Sequence, residues 1–301
     1  YRFGVSRLGL QVDERASDET IFLADKESPA RVQPIHPGSY VRVKNGLPAD
    51  AELSALTLEC WVRPWKLTPW QGILTQHDYP DRCGFGLFLD AGGRAVFSIG
   101  SGGAYDGGSL VTGPKLNLRQ WHHLVGVWDA EAKIATIWVD GKRAAEWQAP
   151  DNLPPRKAGP AGLQIGAYSE RGVTGRFFDG DIAMPAIYTR ALAEDEIAAR
   201  LAKRGLEAPD LGDPALAAFW PLNEERGSSV ADASGNQRDG QIVNLGTWMI
   251  GGPSFDGGSV GRYDKSYDPR TDLNRGHGLR LASDDLYDCG WAATEGFRVP
   301  K

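Results

Sequence analysis

Residues 57–64 read Thr57-Leu-Glu-Cys-Trp-Val-Arg-Pro64, an alternating run that is typical of a β-strand. Successive side chains of an extended chain point to opposite faces of a sheet. Leu58, Cys60 and Val62 therefore share one face, and the residues between them share the other. The run predicts a strand with two chemically distinct faces.

Further strand signals surround this run at short intervals. Residues 85–90 and 94–99 flank a Gly-Gly turn, which indicates a hairpin. Residues 121–129 and 134–139 form a second pair. Asp140-Gly141 follows, a dipeptide that tolerates the positive φ of a type I′ turn into the next strand. Short strands separated by Gly and Pro indicate an antiparallel β-sandwich.

One helix is indicated, from Ala193 to Arg204. Its first turn carries Glu194-Asp-Glu196, which complements the positive end of the helix dipole, and its last turn is basic. Gly205 can adopt the left-handed conformation that ends a helix. The sequence therefore predicts an all-β chain, an antiparallel sandwich with one short helix and an irregular C-terminal extension.

Three regions resemble the laminin-G-like, concanavalin-type jelly roll, and they occur in the family's order. They are residues 56–64, residues 121–141, and a set of short motifs between 163 and 192: Leu163-Gln-Ile-Gly-Ala167, Phe178-Asp-Gly-Asp-Ile182 and Ile187-Tyr-Thr-Arg-Ala-Leu192. The resemblance covers roughly residues 39–205 and implies the jelly-roll fold. It implies no single function, because this fold hosts lectins, adhesion modules and enzyme appendages.

One segment departs from the family's order. Phe219-Trp-Pro-Leu-Asn223 and residues 230–240 resemble the part that usually opens such a domain, yet here they follow the helix. A sheet requires a strand at a given position, whichever end of the chain supplies it. We expect residues 215–245 to return to the first-strand position beside Tyr40–Lys44, as a permuted strand.

The end of the chain resembles the large subunit of N,N-dimethylformamidase and its relatives. The resemblance rests on Pro185 and on the motifs Gly251-Gly-Pro-Ser-Phe255, Arg262-Tyr-Asp264, Arg275-Gly-His-Gly-Leu279 and Ala282-Ser-Asp-Asp-Leu-Tyr-Asp-Cys-Gly-Trp291. It implies hydrolysis of N-alkylated formamides at a mononuclear iron held by Tyr, His and Glu. In that family these ligands lie downstream of the tail motif, so no catalytic residue and no cofactor is assigned to this chain. The partners that the resemblance implies are a missing catalytic domain and a small subunit, in an oligomer.

The predicted organisation has three parts. Residues 1–38 form a strand-and-linker segment, read as the end of a preceding domain. Residues 39–245 form the laminin-G-like sandwich. Residues 246–301 form a dimethylformamidase-like junction that leads toward the missing catalytic domain.

Composition argues against several classes of partner. The net charge is −6 and the acidic residues are dispersed, whereas nucleic acids and anionic membranes require a concentrated basic face. The chain has no apolar run long enough to span a membrane. Its three cysteines cannot all pair with one another, and it has no Asn-x-Ser/Thr sequon. Free thiols in the cytoplasm are therefore the expected state.

The candidate binding residues lie near the tail motif. His277, Asp284, Asp285 and Asp288 combine one imidazole with three carboxylates, which could line an interdomain cleft or contact a partner subunit. Capping and turn formation at a domain junction is the alternative interpretation.

No metal site is predicted. His122 and His123 are adjacent in a predicted strand, so they point to opposite faces and cannot chelate one ion together. Residues 77–83 mix hard and soft ligands without a metal spacing, which favours a solvated loop. Asp264, Asp268 and Asp272 are evenly spaced but lack the calcium-loop pattern.

These observations lead to two hypotheses. In the first, the chain is the non-catalytic sandwich of a dimethylformamidase-like large subunit, which scaffolds assembly or shields the active site. In the alternative, it is a lectin-like module that binds a glycan or a protein. Trp65, Trp70 and Tyr79 are then the rim aromatics on which a sugar would stack.

Overall fold

In the computed structural model, the residues described are 10–11, 21–23, 33–35, 38–67, 69–79, 82–102, 110–224, 227–244, 246–250 and 277–281. They form an antiparallel two-sheet sandwich, so the predicted all-β class is confirmed.

The first large sheet, which we call the helix-side sheet, has the order β12-β11-β10-β5-β16-β21-β20, with β17 also paired to β16. Its strands are β5 (Ala55–Pro64), β10 (His122–Asp129), β11 (Ile134–Val139), β12 (Lys142–Gln148), β16 (Gly180–Tyr188), β17 (Leu216–Phe219), β20 (Thr247–Ile250) and β21 (His277–Leu281). The helix, α1, spans Glu194–Ala202.

The second, which we call the hairpin-side sheet, has the order β18-β19-β4-β13-β6-β7-β8-β9. Its strands are β4 (Tyr40–Val43), β6 (Gln71–Tyr79), β7 (Cys83–Leu89), β8 (Arg94–Ser101), β9 (Val111–Lys115), β13 (Leu163–Ile165), β18 (Ser229–Val230) and β19 (Gly240–Val243). A small hairpin of β14 (Tyr168–Glu170) and β15 (Val173–Gly175) joins this sheet through β6. A separate sheet contains β1 (Leu10–Gln11), β2 (Ile21–Leu23) and β3 (Gln33–Ile35).

The main core lies between the two large sheets. The predicted alternation of β5 is confirmed, because Leu58, Cys60 and Val62 all enter this core. The residues of β5 that alternate with these three are buried as well, on the other face of the helix-side sheet. β5 is thus covered on both sides, which explains why polar residues on it are inaccessible to solvent.

The returning segment pairs with the strand that the sequence predicted for it. Gly240–Val243 runs antiparallel to Tyr40–Val43, with Ile242 opposite Val41. The side chain of Trp220 is completely buried in the main core, and its indole N–H donates to the carbonyl of Arg238 at 2.8 Å. The outer boundaries of the three-part organisation stay predictions.

Pro185 lies within a central strand and is accommodated by a bulge. The register of β16 against β5 shifts between Ala183 and Ala186, and Met184 adopts a φ of 53°. The missing N–H of Pro185 therefore interrupts no ladder bond. A proline in a strand requires either an edge position or a bulge, and Pro185 occupies a bulge.

The helix is capped at its N-terminus by Glu196, whose carboxylate accepts the backbone N–H of Ala193 at 2.9 Å. Gly205 follows the helix with a φ of 69°, as expected for the residue that ends it. Among the helices of the described residues, none is long and apolar enough to cross a bilayer.

Candidate functional site

The outer face of the hairpin-side sheet carries a compact group of rings. It consists of Trp70, Tyr79, Phe88, Tyr168 and the aliphatic Val96, and we call it the aromatic cluster. Phe88 points away from the core because it alternates with the buried core residues of β7. The cluster therefore lies on a sheet face that no helix of the described part of the chain covers.

The rings of the cluster meet edge to face. Phe88 and Tyr168 have centroids 5.3 Å apart at 82°, and His77 lies 5.4 Å from Phe88 at 77°. Such perpendicular pairs are the favoured geometry for aromatic side chains. Phe88, Tyr168 and His77 are buried, whereas Trp70 and Tyr79 are half-buried and keep part of their rings accessible.

A glycine makes room for this arrangement. A Cβ built on Gly86 would lie 2.6 Å from the ring of Phe88 and 3.1 Å from the methyl group of Thr75. The Phe88 ring can therefore lie across the sheet only because position 86 has no side chain.

The β14–β15 hairpin supplies the polar rim of the cluster. Its strand β14 places Glu170 opposite Tyr79 in the ladder with β6. The Nε of Arg176 lies 2.9 Å from the carboxylate of Glu170. That hydrogen bond raises the pKa of Arg176, and the two tyrosines Tyr79 and Tyr168 raise it further. A planar ion pair thus borders two aromatic rings.

This combination suits the recognition of a sugar ring. A pyranose presents a face of C–H groups that packs on an indole or phenol, and hydroxyls that need planar hydrogen-bonding partners at the edge. Aromatic side chains with one apolar face and one polar tip provide the first. The Glu170–Arg176 pair provides the second.

Two of the three predicted rim aromatics, Trp70 and Tyr79, pack against this cluster, from opposite ends of β6. Trp65 does not. It belongs to a second group, which we call the Trp65 cluster, where the Cζ atoms of Arg63 and Arg119 lie 5.6 and 5.5 Å from the centre of its ring. Asp181 accepts hydrogen bonds from the indole N–H of Trp65 at 2.6 Å and from the Nε of Arg63 at 2.7 Å.

A third polar group is buried under α1 on the helix-side sheet. The carboxylate of Glu59 contacts the Nε2 of His123 at 3.0 Å, the Nε of Arg200 at 3.1 Å and the hydroxyl of Tyr188 at 3.3 Å. Glu59 and His123 are both fully buried. Although the residue types suit acid–base chemistry, the group is closed to a substrate, and it attaches α1 to the sheet.

Burial and pairing act in opposite directions on this carboxylate. Burial alone would raise the pKa of Glu59, but the hydrogen bond from His123 and the charge of Arg200 hold it below its ordinary value. The same surroundings raise the pKa of Tyr188, chiefly through burial and the neighbouring Glu59 charge. Glu59 is therefore an ionised group at neutral pH.

The predicted tail site falls largely outside the described residues. Asp284, Asp285 and Asp288 are not among them, and neither are Asp264, Asp268 and Asp272. His277 begins β21, where its backbone is opposite Ile250 of β20. The binding role of His277, Asp284, Asp285 and Asp288 stays a prediction.

The remaining histidine predictions have mixed outcomes. His122 and His123 do point into different surroundings, since the Nδ1 of His122 contacts Asp140 at 2.8 Å while His123 contacts Glu59. The prediction of a solvated loop at residues 77–83 is wrong at its ends. His77 is buried in β6 and Cys83 begins β7, because this hairpin continues its ladder further than its polar sequence suggests.

Across the described ranges, no group of three or more His, Cys, Asp or Glu residues could hold a metal.

Several members of the candidate sites were not anticipated. Phe88 was interpreted only as a strand residue, and Tyr168, Glu170 and Arg176 were not singled out. No spacing signal links them, because β14 reaches β6 through a parallel pairing across some ninety residues of sequence.

A family model described as the concanavalin A-like lectin/glucanases superfamily matches residues 37–198, more than half of the chain. No curated protein matches it. Neither the family match nor the structures described next support the resemblance to N,N-dimethylformamidase.

Solved structures show the same fold at low sequence identity. One is a Bacteroides ovatus ATCC 8483 protein with the provisional description of a carbohydrate binding protein. It is 17% identical with a TM-score of 0.52, over 70% of this chain and 59% of that one. The chain therefore spans about three fifths of that protein's length.

Two further structures superpose less well. One is the CBM40 of the Ruminococcus gnavus IT-sialidase bound to α2,3 sialyllactose, with a TM-score of 0.42 and 16% identity over 50% of this chain and 84% of that one. The other is a heptameric SAP-like pentraxin from Limulus polyphemus, with a TM-score of 0.42 and 13% identity over 69% and 95%.

Proposed function

Because this chain belongs to the concanavalin A-like lectin/glucanases superfamily, we propose that it is a carbohydrate-binding module whose ligand stacks on the aromatic cluster. The observation that carries the proposal is the partial exposure of Trp70 and Tyr79 on an otherwise buried aromatic base. A large ring held by packed neighbours loses little conformational entropy when it binds a ligand. The description of the Bacteroides ovatus protein is consistent with this class of ligand.

The backbone at Trp70 supports the same location. Its φ is 56°, a conformation that a bulky residue adopts only when its surroundings impose it. Strained backbone of this kind is concentrated at ligand sites.

The test is a binding screen against neutral methyl pyranosides and their short oligomers, by titration calorimetry and by glycan array. We expect one class of neutral sugar to bind, and Trp70→Ala to weaken that binding by about tenfold or more, the usual cost of a central aromatic contact. Tyr79→Ala should weaken it as well, by a smaller factor.

Trp147→Ala is the matched control. Trp147 is also half-buried, but it lies on β12 of the other sheet and stacks on Trp128 with ring centres 6.4 Å apart. It should leave sugar binding unchanged. If all three variants bind equally well, or if no neutral sugar binds the wild-type chain, the proposal is wrong.

The dimethylformamidase-like role is a second candidate, favoured only by the tail motifs. We propose it in a limited form, as a non-catalytic scaffold that works with a catalytic partner carrying the iron. Under this role the chain alone hydrolyses no N,N-dimethylformamide, and the native assembly does so equally well with Trp70→Ala. Loss of sugar binding in the same variant would instead favour the lectin-like role.

A further inference from the structure

The Trp65 cluster places a positive charge at the surface. It gathers two guanidinium groups, Arg63 and Arg119, around one indole, together with the carboxylate of Asp181. Arg63 and Asp181 are buried and form an ion pair at 2.7 Å. Arg119 is exposed, and none of the described carboxylates forms an ion pair with it. Its guanidinium therefore presents one uncompensated positive charge.

The carboxylate of the cluster is engaged by the protein itself. Asp181 accepts from Arg63 and from the indole of Trp65, as described above. The Cζ of Arg63 lies 5.0 Å from the ring centre of Trp121, whose buried indole N–H has no acceptor within the described part of the chain. Because that N–H is buried, the exposed charge of Arg119 is the feature that favours an anionic ligand at the open side of the cluster.

The exposed guanidinium is held in a defined position. The backbone N–H of Arg119 donates to the carbonyl of Pro64 at 2.7 Å, which ties its loop to the end of β5. Its Cζ then lies 5.5 Å from the centre of the Trp65 ring, within the range of a cation–π contact. Pre-positioning of this kind reduces the entropy that a ligand must otherwise remove.

We infer that the Trp65 cluster is a second ligand site, separate from the aromatic cluster, and that it takes a sugar bearing a carboxylate, such as a hexuronate. The fork of the Arg119 guanidinium matches a carboxylate in a bidentate contact. The half-buried indole of Trp65 beside it contacts the sugar ring. A single uncompensated charge suits a monoanion better than a phosphate monoester, which carries close to two charges at neutral pH.

The probe is methyl β-D-glucuronide, with methyl β-D-glucoside as its neutral match. We expect the glucuronide to shift the NMR signal of the Trp65 indole N–H, and the glucoside to leave it in place. Arg119→Gln should weaken glucuronide binding by about tenfold or more, since a charged bidentate contact is lost. Arg119→Lys should bind with intermediate affinity, because it keeps the charge and loses the fork.

Arg204→Gln is the matched control. Arg204 is likewise exposed and has a φ of 48°, close to the 62° of Arg119, but it follows α1, and its backbone N–H donates to Leu201 rather than to β5. It should leave glucuronide binding unchanged. Equal binding of the two probes, an equal loss in Arg204→Gln, or an Arg119→Gln variant that binds normally would overturn the inference.

Two further outcomes separate this site from the proposed function. Trp70→Ala should abolish neutral-sugar binding and leave glucuronide binding intact. If Trp70→Ala removes both, the only site is the aromatic cluster and the present inference is wrong. If no neutral sugar binds while the glucuronide binds through Arg119, the proposed function fails and this inference stands. Competition by a glutamate-rich peptide as effective as the glucuronide would show a protein ligand instead and would also overturn it.

Discussion

The two outer faces of the sandwich are completed in different ways. On the helix-side sheet, α1 covers Glu59 and His123, which are fully buried, and supplies Arg200 as a partner for Glu59. On the hairpin-side sheet, the aromatic cluster keeps Trp70 and Tyr79 partly in solvent. The first face, which we call the closed face, is covered by α1. The second, which we call the open face, still offers apolar surface to a ligand.

This difference shows why residue type alone is a poor guide to function. A Glu–His–Arg–Tyr group suggests catalysis when only its residue types are considered, yet the full burial of Glu59 and His123 makes it a structural attachment. A buried charge is tolerated only when it is paired and hydrogen-bonded. Glu59, which lies on β5, meets that condition through contacts with His123 of β10 and Arg200 of α1.

The largest expected effect tests the closed face. Glu59→Gln removes the buried charge that pairs with Arg200 and leaves this largely shielded cation without its partner. We expect a loss of about 3–5 kcal/mol in the free energy of unfolding, measured by urea denaturation, as for other broken buried ion pairs. In the double variant with Arg200→Met, part of this loss should be recovered. A change below about 0.5 kcal/mol, the range typical of neutral surface substitutions, would contradict the assignment of Glu59 as the attachment point of α1.

Gly86→Ala tests the open face. The added methyl group displaces the Phe88 ring, with an expected cost of about 1–3 kcal/mol in stability from overpacking and a clear loss of sugar affinity. Gly162→Ala is the control, because nothing lies within 4 Å of its added Cβ. Both are measured by urea denaturation and by titration with the sugar found in the screen. Unchanged sugar affinity in a folded Gly86→Ala chain would show that the position of Phe88 does not matter for binding.

Lowering the pH should reduce the stability that Glu59 contributes to the folded chain. The pKa of Glu59 in the folded chain lies below its ordinary value of 4.5, so the unfolded chain takes up the proton first as the pH falls. The stabilisation is therefore complete above about pH 4.5 and is lost as the pH falls through the folded pKa. Asp140, whose pKa is also lowered, adds to the same trend. In Glu59→Gln, the decline in stability between pH 5 and pH 3 (roughly the range over which carboxylates titrate) should be shallower than in the wild type. An identical slope in both would contradict this account.

The smallest effect is expected at an exposed ion pair. Arg143 and Glu146 lie 3.1 Å apart with about half of each side chain in solvent. Glu146→Ala should change the free energy of unfolding by less than about 0.5 kcal/mol, because solvent and salt screen such a pair. A loss as large as that of Glu59→Gln would remove the distinction between the two environments.

Much of the fold could be predicted from local patterns. The alternation in residues 57–64, the Asp140-Gly141 turn and the capped segment before Gly205 each specify their own element. Asp140 and Gly141 have φ values of 51° and 75°, as a type I′ turn requires. Even the bulge at Pro185 follows from the chemistry of a single residue.

The candidate sites were much less predictable. Glu59 and Arg200 are 141 residues apart, and only the packing of α1 onto the sheet brings them together. Trp70 and Tyr79 were recognised as surface aromatics, but their base of Phe88 and Tyr168 depends on the folding-back of β14 along β6. Trp65 was grouped with them by residue type, whereas the end of β5 places it beside Arg119.

The central claim, that the open face binds a sugar, is tested most directly by NMR. The indole N–H signals of the tryptophans are followed while the tightest-binding neutral sugar of the screen is added. We predict that the Trp70 signal moves in a saturable way, together with the backbone amides of Tyr79 and Tyr168, while the Trp147 signal stays fixed. Saturable shifts confined to other tryptophans, or none at any sugar concentration, would contradict the claim.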